Sequence, residues 1–193
     1  MMHIITGSAR GTRLFTLQGD ATRPTSERAK EAIFSMLPLQ FEGRRVLDLF
    51  AGSGQMGLEA LSRGAAFALL ADRSREAVEV IRKNAEKTHL RDRTRIECAE
   101  ALAYLRATRE APFHLVFLDP PYAAGLLPSA LSLLLSRGLL AVGATVVAEC
   151  GNPVDLFGGD AALADQFEIL KEKRYGAAYV YFLTPKTSAK EEA

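Results

Sequence analysis

The chain has 193 residues, with 24 Lys or Arg against 23 Asp or Glu and 48% hydrophobic positions. That length and balance predict one soluble globular domain, which buries about two-thirds of the surface its unfolded chain exposes and needs no disulfide or metal to hold it. The net charge of +1 speaks against a dedicated nucleic-acid binder, which carries a visible basic excess, although a mean near zero can hide a separation of charge.

The first 45 residues differ in kind from the rest. Ile4-Ile5 and Leu14-Phe15-Thr16-Leu17 flank Gly7-Ser8-Ala9-Arg10-Gly11, a pattern that predicts a small hairpin. Thr25 or Ser26 is placed to cap a helix to about Leu37, with Ala29, Ile33 and Met36 or Leu37 on its apolar stripe and Arg28 and Lys30 elsewhere. From Val46 onward, short apolar runs alternate with amphipathic ones, the pattern of βα units around a parallel sheet. Strands are expected at 45–50, 66–71, 95–97, 113–118 and 144–149, with helices at 56–63, 75–87, 99–108 and 126–135. A loop rich in Gly, Pro and Asp then leads to two antiparallel strands at 166–173 and 177–183. The expected divisions are an N-terminal extension (1–45), a catalytic domain (46–185) and a frayed polar tail (186–193).

Cys98 and Cys150 have no paired spacing and read as isolated thiols of a reducing compartment, so no metal is expected. The start, Met1-Met2-His3-Ile4-Ile5-Thr6, lacks the regions of a signal peptide. Residues 130–148 are too interrupted by Ser132, Ser136, Arg137, Gly138 and Gly143 to span a bilayer. The cytoplasm is the expected location.

The segment Asp48-Leu49-Phe50-Ala51-Gly52-Ser53-Gly54-Gln55-Met56-Gly57 sets three glycines in the G-x-G-x-x-G pattern between a strand and a helix. Glycines there allow a tight turn and close approach of a ligand to the backbone. Asp72 follows Gly52 by 20 positions, at the end of the next strand, where a carboxylate can accept from both hydroxyls of a ribose. These two features serve a nicotinamide dinucleotide and S-adenosyl-L-methionine equally, since both carry adenosine. Asp48 favours the second: a carboxylate there could meet an amino group and would repel a pyrophosphate. Glu100 is a candidate adenine contact, or simply an acid at a helix N-terminus.

After the fourth strand comes Asp119-Pro120-Pro121-Tyr122. Two prolines stiffen the turn, so that the preceding carboxylate and the intervening carbonyls project at the carboxyl edge of the sheet. An exocyclic amine on a base is a poor nucleophile because its lone pair is delocalised into the ring. Hydrogen bonds from that amine to Asp119 and to the Pro120 carbonyl would hold the nitrogen towards tetrahedral geometry, and Tyr122 offers a face on which an unstacked base can lie. Asp119 need not act as a base before attack, because an aromatic amine is far too weak an acid for a carboxylate.

Together, Phe50-Ala51-Gly52-Ser53-Gly54 with residues 57–65, Asp119 to Tyr122, and the leading Arg23-Pro24-Thr25 with Arg28, Glu31 and Phe34 resemble the RsmD family. Its members are bacterial 16S rRNA guanine-N2 methyltransferases. The resemblance runs from about Ile4 to Leu183. It implies an α/β, class I S-adenosyl-L-methionine-dependent methyltransferase (Rossmann-like) fold: a seven-stranded, mostly parallel sheet with a C-terminal antiparallel hairpin, plus a small N-terminal β-hairpin and helix. It further implies that Asp48, Phe50, Ala51, Gly52, Ser53, Gly54, Gly57, Asp72, Arg73, Glu100 and Ala101 surround the cofactor. Asp119, Pro120, Pro121 and Tyr122 would then surround the guanine. Two departures are Lys30, where the family more often has Arg, and Glu100, where a shorter Asp or Asn is usual.

Arg10, Arg13, Arg23, Thr25, Arg28 and Lys30 are the expected RNA contacts, with Arg23 and Arg28 alternatively meeting the carboxylate end of the cofactor. The cluster Arg82, Lys83, Lys87, Arg91, Arg93 and Arg95 reads as a solvated face. The expected partner is 16S rRNA in a partly or fully assembled 30S subunit, and the expected state is a monomer. Competing readings keep the chemistry but change the acceptor to DNA adenine or a protein glutamine, or replace it with nicotinamide-dependent oxidoreduction or non-catalytic ribosome assembly.

Overall fold

The computed structural model describes residues 2–17, 27–37 and 40–186, with only the backbone given for Glu27 and Arg28. The structure holds a seven-stranded mixed sheet, mostly parallel with antiparallel C-terminal strands. The chain divides into two compact units, one ending at Ala101 and the other beginning at Leu102.

In the first unit, the expected hairpin closes through a bridge of His3 with Arg13. Ile4 N–H donates to the Thr12 carbonyl at 3.0 Å and Gly11 N–H to the Ile4 carbonyl at 2.8 Å. Helix α1 (Glu27–Met36) follows, and then the expected alternation: β1 (Arg45–Asp48), α2 (Gln55–Ser62), β2 (Phe67–Asp72), α3 (Arg75–Lys87) and β3 (Thr94–Cys98). The three strands are parallel. Val46, Leu47, Ala68, Leu69 and Leu70 are fully buried, which explains their unbroken apolar runs. Helix α3 buries one stripe (Ala77, Val78, Ile81, Asn84, Ala85) and starts at Ser74, whose hydroxyl accepts from Ala77 N–H.

The hairpin is tied to α2 by polar contacts that residue patterning does not announce. Glu59 has no exposed surface, and its carboxylate accepts from Ile5 N–H at 2.7 Å, Thr6 N–H at 3.1 Å and Arg63 Nε at 2.9 Å. Ser62 Oγ donates to the Thr6 carbonyl and accepts from Ala9 N–H. Gly7 sits so close to α2 that a Cβ would fall 1.8 Å from the Ser62 carbonyl oxygen. Lys30 closes the joint: it is fully buried, donates to the His3 carbonyl at 2.6 Å and faces Glu59 at 3.5 Å. This corrects the expectation that Lys30 contacts RNA. A buried ammonium survives only with partners of this kind, and Lys30 uses its charge inside the fold.

In the second unit, α4 (Ala101–Ala107), β4 (Phe113–Leu118), α5 (Leu127–Ser136), β5 (Leu140–Cys150), α6 (Ala161–Asp165), β6 (Phe167–Tyr175) and β7 (Ala178–Pro185) follow in order. Strand β5 is parallel to β4 and antiparallel to β7, which pairs antiparallel with β6. β5 begins four residues before the expected start. Its pairing with β4 shifts register between Phe113 and Leu115, and Gly143 at φ +68° lies in the irregular stretch. The exposed bulge hides the strand from a pattern that looks for a buried run. Helix α6 occupies part of the stretch that the sequence predicts as loop, because five residues capped by Asp160 are too few to show a period. Among the described residues, no helix is long and apolar enough to cross a membrane.

Candidate cofactor loop and acceptor turn

The glycine loop leaves β1 and enters α2 through two left-handed residues, Gly52 (φ +54°) and Gly54 (φ +79°), a conformation that side chains resist. The two glycines differ in what surrounds them. A Cβ on Gly54 would meet Leu70 at 2.8 Å and one on Gly57 would meet the same side chain at 3.0 Å, whereas one on Gly52 would meet nothing within 4 Å. Gly54 and Gly57 therefore let the loop pack on β2, and Gly52 faces open space.

Asp72 fixes the loop from the next strand. One carboxylate oxygen accepts from Gly52 N–H at 2.9 Å and the other from Ser74 N–H at 2.8 Å. A carboxylate offers about four lone-pair directions, so the half-exposed Asp72 retains the capacity to accept from a ribose diol. Asp48 is more enclosed than its expected role suggests. It is 4% exposed and accepts from Gly57 N–H at 3.0 Å. Burial, opposed by that hydrogen bond and reinforced by the negative charge of Asp72, pushes its carboxyl up to about 7. A buried carboxylate with a second acidic side chain close enough to raise its proton affinity makes a site that attracts cations and repels a pyrophosphate.

Phe50 is half-buried, Ala51 and Ser53 are buried, and Arg73 and Glu100 are exposed at the ends of β2 and β3. Ala101 is buried as the first residue of α4. Two contributors were missed. Gln55, the first residue of α2, is 8% exposed and its Oε1 has no hydrogen-bond partner among the described residues, an arrangement that costs free energy unless a ligand supplies a donor. Asn84 is fully buried on α3 and donates to the Ser53 carbonyl at 2.8 Å. Its polar side chain on an apolar helical stripe was the available signal.

In the second unit, Asp119 directly follows β4 and is exposed, and Pro120 is buried behind it. Tyr122 opens a single 3-10 turn to Ala124. The residue is 43% exposed and its ring lies on Gly151, where a Cβ would come within 2.8 Å of it. The Tyr122 hydroxyl donates to Glu149 Oε1 at 2.5 Å. Burial first, and then that bond and the charge of Glu149, hold the phenol well above its ordinary range, so it stays protonated. Glu149 and Gly151 were not anticipated; the register that pairs Leu118 with Ala148 brings the residues after both into reach. A shallow depression opens here between Pro120, Pro121, Tyr122, Leu126, Glu149 and Asp155.

Of the expected RNA contacts, Arg10 and Arg13 are exposed on the hairpin, while Arg23, Thr25 and the side chain of Arg28 lie outside the described residues. Among the described residues, no group of three or more His, Cys, Asp or Glu is placed to hold a metal ion.

The family described as "Conserved hypothetical protein 95" matches residues 2–184 of the chain. The ribosomal RNA small subunit methyltransferase D of Escherichia coli (strain K12) is 37% identical over 148 residues, covering 77% of this chain and 74% of that one. Its namesake from Haemophilus influenzae is 31% identical over 177 residues, covering 91% and 89%. The solved structure of the Escherichia coli protein yhhF superposes with a TM-score of 0.82 at 31% identity, covering 96% of this chain and 98% of that one.

Proposed function

Because the chain belongs to the conserved hypothetical protein 95 family, the RsmD family of rRNA small subunit methyltransferases, we propose that it methylates the exocyclic N2 amine of one guanine in 16S rRNA. The cofactor in this reading is S-adenosyl-L-methionine. The observation that carries it is the pairing of Asp48 and Asp72 around an open glycine loop, together with the Asp119-Pro120-Pro121-Tyr122 turn. The residues fit this cofactor: open space at Gly52, unused acceptor capacity on Asp72, and the unpartnered Gln55 Oε1. Asp72 would take the ribose hydroxyls, Asp48 would face the amino group, and the Phe50–Gly57 backbone would line the site, with Arg73, Glu100 and Ala101 at its rim. When bound, the cofactor supplies a methyl group on a cationic sulfur.

The protein's own work is to present the acceptor. Asp119 and the Pro120 carbonyl accept from the guanine amine, which turns its lone pair out of conjugation and holds it in a near-attack position. Pro120 and Pro121 keep that geometry stiff. Tyr122, anchored by Glu149, gives the base a surface to stack on. The proton is lost only as the nitrogen becomes cationic, when Asp119 is basic enough to receive it. Arg10 and Arg13, with Arg23, Thr25 and Arg28, would meet RNA phosphates while the turn selects the base. The substrate is a partly or fully assembled 30S particle in the cytoplasm, the enzyme is a monomer, and no metal takes part.

The test is incubation of the full chain with labelled S-adenosyl-L-methionine and unmodified 30S particles, followed by mass-spectrometric mapping of the product. One N2-methylguanine in 16S rRNA is expected. Label confined to DNA, to protein or to another base would replace this substrate with that one.

A further inference from the structure

Asn84 spends its whole side chain on two main-chain segments remote from it in sequence. Its Oδ1 accepts from Phe15 N–H at 2.7 Å and its Nδ2 donates to the Phe15 carbonyl at 3.0 Å. The carboxamide thus pairs with Phe15 as the peptide group of a neighbouring strand would. The same Nδ2 donates to the carbonyl of Ser53 in the glycine loop at 2.8 Å. Ser53 is held again from the N-terminal segment, its hydroxyl donating to Met2 Sδ at 3.2 Å. A carboxamide alone among small side chains carries a donor and an acceptor on one planar group. Buried networks of this kind allow few alternative arrangements.

The far end of the contact faces solvent. Phe15 is 47% exposed, with the Lys87 ammonium 4.5 Å from its ring centroid, and Arg13 is exposed two residues earlier. The segment therefore carries a partly exposed aromatic ring and the Arg13 cation, with Lys87 of α3 beside the ring, while the Phe15 peptide group is joined through Asn84 to the glycine loop. Stacking and phosphate contacts of single-stranded RNA suit such a surface.

We propose that Asn84 is a positioning residue that couples RNA engagement at Arg13–Leu17 to the conformation of the Phe50–Gly57 loop, so that RNA and cofactor bind cooperatively. The inference rests on the function proposed above. Since linkage is reciprocal, RNA tightens cofactor binding by the same factor by which cofactor tightens RNA binding.

The experiment measures the affinity of radiolabelled S-adenosylhomocysteine for the full chain with and without saturating unmethylated 30S particles, in wild type, Asn84→Ala and Asn84→Asp. The Ala variant removes all three bonds. The Asp variant keeps the acceptor for Phe15 N–H and sets an oxygen against the two carbonyls. In wild type the particle should tighten binding about fivefold or more. In both variants that factor should fall to one, with affinity in the absence of RNA about tenfold weaker. No tightening in wild type, or a lowered melting temperature with the factor retained, overturns the proposal. Should neither variant fold, hydrogen exchange on wild type decides: S-adenosylhomocysteine should slow exchange of the Phe15 amide together with those of Gly52 to Gly57, and an unchanged Phe15 amide overturns the coupling. Methyl transfer by wild type to the particle is measured first. Failure there defeats the functional reading, whereas an active wild type with unaltered variants defeats only this inference.

Discussion

Asp48 carries the site's most informative titration. Its carboxyl is raised from 3.8 to about 7 by burial, so the folded state binds its proton more tightly than the unfolded chain. Stability from this group is therefore full below about pH 4, falls as pH rises towards 7 and is level above that, by a few kcal/mol at most given ~1.4 kcal/mol per unit. Asp48→Asn can still accept from Gly57 N–H but cannot ionise. Its melting temperature should gain on wild type between pH 4 and 7, with a constant gap beyond pH 8; parallel curves across that range would show that Asp48 is not the titrating group. A cationic ligand draws the carboxyl back down, so S-adenosyl-L-methionine should bind wild type more tightly as pH rises through about 7, a dependence that the Asn variant loses. Tyr122 gives a complementary prediction in the second unit. In the proposed function its exposed ring, anchored through the hydroxyl, serves as a stacking platform worth about 1–3 kcal/mol per base. Tyr122→Ala should raise KM for the RNA about tenfold or more and leave S-adenosylhomocysteine affinity unchanged in a direct titration, while Tyr122→Phe, which keeps the ring, should fall between the two.

Helix ends explain why so many boundaries could be read from residues alone. Helices α2 and α5 both finish in Ser-Arg-Gly. In each the glycine, Gly64 or Gly138, takes a positive φ, and the residue after it donates back to the helix, Ala65 to the Ala60 carbonyl and Leu139 to the Leu134 carbonyl. This is the Schellman stop, for which glycine is the ordinary residue. Helix α3 ends the same way, with Leu90 N–H on the Ala85 carbonyl, but its left-handed residue is His89 at φ +57°. His89→Gly should stabilise the protein by about 0.5–1 kcal/mol, after allowing for the extra freedom of glycine in the unfolded chain; a fall in the urea midpoint would contradict that account. Strand and helix were legible where burial runs without interruption, over both faces in β2 and along one stripe in α3. They failed at β5, whose first residues run through an exposed bulge, and at α6, which is too short. The glycine loop, Asp72 and the Asp-Pro-Pro-Tyr turn could be read because backbone geometry demands particular residues there. Glu149, Gly151, Asn84 and Gln55 escaped because their roles come from register and burial, which bring together residues distant in the chain. Lys30 was misplaced for the same reason, since only the docking of the hairpin on α2 shows that Glu59 is waiting for it.

The distribution of charge over the whole chain sets how it can hold RNA. Residues 1–45 contain 7 Lys or Arg against 4 Asp or Glu, and the remaining residues 17 against 19, so the near-zero total conceals a basic extension on an acidic remainder. The fold then reduces that excess as seen from outside, because Lys30 is spent on Glu59 and the His3 carbonyl. Arg10 and Arg13 are left as the exposed cations of the hairpin, with Arg23 and Arg28 the further candidates from the extension. Each phosphate neutralised contributes about 0.7 to the slope of log K against log salt for single strands and about 0.9 for duplex. Four contacts therefore predict a slope no steeper than about −3 to −4 for isolated 16S rRNA fragments, and a correspondingly loose complex. Arg10→Ala with Arg13→Ala should flatten the slope by about 1.4–1.8 without moving the affinity for S-adenosylhomocysteine in the absence of RNA. A slope beyond −6 in wild type would mean that cations elsewhere, the α3 cluster of Arg82, Lys83 and Lys87 first among them, belong to the RNA surface. A shallow slope instead favours the proposed reading, in which the shape of the assembled particle and the Asp119 turn, rather than a strongly basic surface, hold the single guanine.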